Sequence, residues 1–133
     1  MKIFMVFVAL SLVFLCAFSF VADLNNFALM EKSLKTMAEE CACGSALMTD
    51  SAMASYGYLE IDMQAAKDAC GRIVNKLAAA VPAFSRGTIS VDSIDVGENY
   101  AAVKLSYYQQ DDLFRLPFFT KHGFSREAEY RWE

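Results

Sequence analysis

The chain has 133 residues, 56% hydrophobic and 21% charged, with 12 Lys and Arg against 16 Asp and Glu for a net charge of −4. That length holds one small domain and excludes two, and an acidic balance without a Lys/Arg run excludes the electrostatic footprint of a nucleic-acid binder. The mean hydropathy of +0.26 is high for a soluble domain, and its source is the N-terminus.

From Ile3 through Ala22 no residue is charged. At about 1.5 Å per residue such a stretch makes a helix of roughly 30 Å, the thickness of a hydrocarbon core. Residues 1–22 therefore read as a transmembrane anchor. A cleaved secretory signal is the alternative: Lys2 would open it and Ala17-Phe18-Ser19 is a small-x-small cleavage sequence, although the apolar region of such signals is usually only about 7–15 residues. Cys16 reads as a small apolar residue of the membrane helix. Lys2 on the short flank, opposed to Asp23 and the Asn pair on the long one, predicts the N-terminus inside and residues 23–133 outside. Both readings export the same domain.

No linker follows Ala22. Phe27, Met30, Leu34, Met37, Cys41, Gly44 and Met48 recur in steps of three and four, one narrow apolar stripe on a helix, with Glu31, Lys32, Lys35, Glu39 and Glu40 largely off it. A single rod from about Ile3 to Met48 is the expectation. Thr49 to Tyr58 reads as a connection. A second helix carries Leu59, Met63, Ala66, Cys70, Ile73, Val74, Leu77 and Val81 on one face and ends before Pro82.

Beyond Arg86-Gly87 the period becomes two. Ile89 and Val91 share one face, Ile94 and Val96 another, and the slip at Asp92-Ser93 predicts a β-bulge. Gly97-Glu98-Asn99 is a turn signal, and Ala101, Val103, Leu105 and Tyr107 alternate through a second strand, so residues 88–108 form a hairpin. Leu116-Pro117-Phe118-Phe119 is an apolar corner. Ala128, Tyr130 and Trp132 alternate with charged residues in a last strand, with Tyr130 and Trp132 toward the helices, Arg131 toward solvent and the C-terminus tied into the sheet. The fold class is α+β: a long membrane helix continuing into an amphipathic one, a second helix, and an antiparallel sheet of about three strands.

Catalytic constellations are missing from this pattern. His122 is the one histidine and reads as a solvent-facing loop residue; with Cys41 and Cys43 it would make only a strained minimum for zinc. No motif positions a nucleophile, a metal or a phosphate. The adjacent carboxylates Asp111-Asp112 and Glu39-Glu40 diverge on a strand or helix and read as solvated faces. No catalysis, cofactor, metal or small-molecule substrate is expected. Cys41 and Cys70 fall on the two apolar stripes, where a disulfide and plain burial as reduced core residues are both open, while Cys43 points away from Cys41 on the same helix.

The layout resembles the TadE-like proteins of the tight-adherence pilus system, small membrane-anchored relatives of the pseudopilins. The resemblance rests on the apolar helix, its Ala- and Met-rich continuation FALMEKSLKTMAEECACGSALM, and a C-terminal half in which AVKLSYY, the LPFF corner and the closing EAEYRWE look like that family's final strands. Members processed as pilins carry a small residue with a glutamate five positions on, just before the apolar stretch, and Met1-Lys2-Ile3 leaves no space for it. The resemblance therefore implies an anchored accessory component in the cell membrane. Its domain would be extracytoplasmic and pilin-like, its partners the other pilus or secretion-apparatus subunits, and Tyr130 and Trp132 a candidate contact surface. A secreted, disulfide-containing binding domain released by signal peptidase is the alternative.

Overall fold

The computed structural model of the chain describes residues 1–48, 62–97, 99–114 and 121–131. Helix α1 runs unbroken from Lys2 to Ala46, 45 residues, or about 68 Å. It is long and apolar enough to cross a membrane, and its most apolar stretch has no buried residue. Burial begins at Asp23 and continues through Met30, Leu34, Met37, Ala38, Cys41, Ala42 and Ser45. The expected stripe is thus present in Met30, Leu34, Met37 and Cys41. A second row of small residues, Ala38, Ala42 and Ser45, widens it, because this half of the helix packs against the second helix and two strands of the sheet at once.

Helix α2 spans Met63–Ala80. Asp62 caps it, its Oδ1 accepting from the backbone N–H groups of Gln64 at 3.0 Å and Ala65 at 3.3 Å, which satisfies two of the donors a helix start leaves open. The Asp62 N–H donates to the Met48 carbonyl at 2.8 Å, and at the other end Leu77 and Val81 adjoin Met37, so α2 returns antiparallel along α1. Ala66, Ala69, Cys70 and Val74 are buried. Met63 is not: in the first turn it stays 38% exposed. Leu59 and the connection Thr49 to Tyr58 lie outside the described residues. The helices touch through small side chains, and a Cβ placed on Gly44 would come within 2.7 Å of Ile73 Cδ1. After Ala80 a short 3-10 turn, Pro82–Arg86, buries Phe84.

Strands β1 (Gly87–Val96), β2 (Tyr100–Gln109) and β3 (Gly123–Arg131) form one antiparallel sheet in sequence order. The bulge falls where the slip in alternation put it: Val91 pairs with Leu105 and Ser93 with Lys104, leaving Asp92 as the extra residue. The inner face of β2 supplies Ala101, Val103, Leu105 and Tyr107 to the core, joined by Ala128 of β3 and the buried residues of both helices. The outer face carries Ser90, Lys104, Ser106 and Tyr108, as expected of a sheet covered on one side.

Two expectations for the last strand need correction. It starts at Gly123 rather than near Ala128. Phe124, Arg126, Ala128 and Tyr130 share its inner face, and the arginine is accommodated there because its Nη2 lies 2.8 Å from Glu31 Oε2 of α1. Tyr130 is on the expected face but remains 43% exposed. β3 climbs along α1, Phe124 packing on Phe27 and Arg126 on Glu31, and Tyr130, opposite Ala101, sits toward the far end of that cover. Trp132 lies outside the described residues, and Arg131 is exposed as expected.

Candidate functional site

Three places in the fold gather chemistry-bearing or recognition-type side chains. The first is the contact between the helices. Cys41 and Cys70 are both fully buried, and the Cys41 Sγ lies 3.7 Å from the Cys70 carbonyl oxygen. The thiols are also within hydrogen-bonding reach of each other: donation to Cys70 and burial push the Cys41 thiol up, and the same bond draws Cys70 down. Buried at the helix seam, the two thiols interact with each other rather than with solvent. In this structure both are free thiols, as are half-buried Cys43 and exposed Cys16.

The second place is the end of the domain next to the apolar half of α1. Phe27, one turn past Asp23, packs at a 44° tilt against Phe114 with ring centroids 5.5 Å apart and meets Phe124 edge-on at 5.2 Å. Tyr107 connects Phe124 at 5.7 Å to Phe84 at 5.1 Å, and Lys121 Nζ stands 4.6 Å from the Phe27 ring centroid. This aromatic girdle ties α1, the 3-10 turn and both inner strands together. Sequence reasoning missed it. Its one legible signal was Phe27 as the first stripe residue beyond the uncharged stretch.

Beside the girdle opens a cleft of about 420 Å³, its polar wall made by Asp23 and Asn26 of α1, Ser85 and Arg86 of the 3-10 turn, Gln109 at the end of β2 and Asp112 beyond it, and its apolar wall by Met30, Pro82, Ala83 and Leu113. Gln109 is buried; its Oε1 accepts from the Tyr107 hydroxyl at 2.8 Å and its Nε2 donates to the Asp111 carbonyl at 2.9 Å. Asp112 Oδ1 faces His122 Nε2 at 3.2 Å. His122 is exposed on a loop, as its sequence context predicts. Among the described residues no group of three or more His, Cys, Asp or Glu could hold a metal ion, so Cys41, Cys43 and His122 do not assemble.

The third place is the far end of the sheet. The Tyr100 hydroxyl donates to Asp95 Oδ2 at 3.2 Å, a bond that raises the phenol above its ordinary range, and the Arg131 guanidinium stacks on the Tyr100 ring at 5.9 Å while pairing with Glu129. Tyr130 borders this group on the opposite face. Comparison of the chain with family models, curated proteins and solved structures found no match.

Proposed function

We propose that the chain is a single-pass, membrane-anchored TadE-like component, acting through protein contacts in the assembly of a pilus or secretion apparatus at the cell surface. The observation that carries this reading is α1. Its first half is apolar and exposed, its second half is the central element of a small α+β core, and no break separates them. Exposed apolar surface of this length needs an apolar solvent, and a core built on the same helix holds the domain directly against the bilayer. The domain then works as a displayed body, with the exposed Tyr130 end of the sheet turned away from the membrane toward other subunits. Aromatic side chains in such positions are typical anchors of protein interfaces.

The test is made in the source organism. Deleting the gene should abolish surface filaments or the corresponding secretion, and the full chain should restore them. A version in which residues 1–22 are replaced by an efficiently cleaved signal should export the domain without restoring the phenotype. Full restoration by that released domain would favour the secreted binding domain instead. So would intact masses from the native membrane beginning at Phe20 or Asp23.

A further inference from the structure

Helix α1 is a ruler for depth. If the hydrocarbon core ends at Ala22, then at about 1.5 Å per residue Asp23 and Asn26 stand roughly 2 and 6 Å beyond it. The headgroup layer on one side of a bilayer is about 5–7 Å thick, and a helix tilt near 20° shortens these heights by only about a twentieth. The polar cleft walled by those two residues therefore opens within the headgroup layer. Whatever fills it in a membrane is water or a lipid headgroup.

The cleft's chemistry distinguishes between them. Among the described residues nothing hydrogen-bonds to or pairs with the side chains of Asn26, Ser85 and Arg86, which line one cavity and are all exposed to it. A guanidinium with a hydroxyl and an amide beside it is a donor set for phosphate oxygens, and arginine offers its N–H groups in the forked geometry that phosphate accepts. Asp23 and Asp112 stand on the same walls. Each already has a partner, Asp112 in His122, but a carboxylate has about four acceptor sites and takes further N–H donors.

We propose that this cleft binds the headgroup of a zwitterionic phospholipid of the phosphatidylethanolamine class, its phosphodiester on Arg86, Ser85 and Asn26 and its primary ammonium on Asp112 and Asp23. A phosphatidylcholine ammonium has no N–H to give those carboxylates. A phosphatidylglycerol headgroup brings a net negative charge against them. The bound lipid completes the polar end of the domain and fixes its height and rotation on the membrane. This inference rests on residues 3–22 being retained as the anchor.

The experiment uses the full chain in nanodiscs of equimolar phosphatidylethanolamine, phosphatidylcholine and phosphatidylglycerol, with native mass spectrometry of the lipids retained after mild detergent release. Carbonate extraction of the source membranes runs in parallel. Phosphatidylethanolamine should be retained about ten-fold over either competitor. Arg86→Gln and Ser85→Ala should remove the preference, while Arg72→Gln on the exposed face of α2 should leave it. Unreactive Cys41 and Cys70 thiols in each variant, or their disulfide, report that the core is intact. Equal retention of the three lipids, preference for phosphatidylglycerol, or an unchanged preference in Arg86→Gln would each overturn the proposal while the chain remains carbonate-resistant. Release by carbonate would overturn the anchor, and the lipid site with it.

Discussion

Tyr107 concentrates the energetics of the domain in one side chain. Its ring lies between Phe84 and Phe124, and its hydroxyl is spent on Gln109. Burial raises its phenol above the ordinary value of 10.0, opposed only in part by Arg86. Because this phenol ionises more readily in the unfolded chain, its contribution is complete below about pH 10 and is lost as pH rises through 10 toward the folded value. The urea midpoint of the reduced protein should be level between about pH 7 and 9 and fall above about 10. Tyr107→Phe should reduce that fall, leaving the smaller part contributed by the raised Tyr100 phenol.

The thiol pair gives a second expectation at this scale. In an oxidising compartment, before the helices close on each other or when they part, one thiol of the pair attacks a disulfide donor of the oxidoreductase class as its thiolate, and the other resolves the mixed disulfide. The donor leaves as a dithiol with both electrons and both protons. Protein exposed to such a donor and recovered without reductant should be 2 Da lighter than after reduction, with Cys41 and Cys70 linked in the peptide map; a product spanning Cys43 would mean that this contact is not the one oxidised. A third expectation concerns Gly123, where a Cβ would come within 2.5 Å of the Tyr107 carbonyl oxygen. The obstacle is backbone that cannot rotate away, so Gly123→Ala should cost on the order of 1–3 kcal/mol in chemical denaturation.

At the scale of elements, β3 closes the sheet. Ala128 opposes Val103 and Tyr130 opposes Ala101, so a chain truncated after Glu127 loses the pairing that covers this end of β2. It should lose protease resistance across the domain, measured as the half-life of the intact band under limited proteolysis. Unchanged resistance would mean that the pairing beyond Glu127 contributes little. This strand also marks where sequence pattern stopped being informative. The rod, the second helix and the bulge at Asp92 were readable because each rests on a local period, of three and four or of two. The first half of β3 was not, because Arg126 occupies an inward position and breaks the alternation, and its compensating charge, Glu31, is almost a hundred positions away on α1. The 3-10 turn and the aromatic girdle were hidden for the same reason, since Phe27, Phe84, Tyr107 and Phe124 form a group only through tertiary contact. The pairing of Cys41 with Cys70 was within reach because both stripes could be drawn from sequence. The polar cleft was not, since its walls come from three separate segments.

At the scale of the whole molecule, the absence of a hinge at Ala22 makes the two halves of α1 share one angular phase. Each residue turns a helix by about 100° and advances it about 1.5 Å, so the azimuth of the α+β domain around the apolar half of α1 is set by the residue count between them. One alanine inserted between Ala22 and Asp23 should swing the sheet by about 100° while lifting it hardly at all; seven should lift it by roughly 10 Å but return it to within about 20° of its starting bearing. If neighbouring subunits grip both the span and the domain, complementation by the single insertion should fail and that by the seven-residue insertion should be partly preserved. The reverse ranking would mean that height matters and bearing does not. With residues 3–22 in a bilayer, a partner that turned that half of the helix would turn the domain's surface with it, degree for degree, and α1 would act as a drive shaft carrying orientation from the membrane to the sheet.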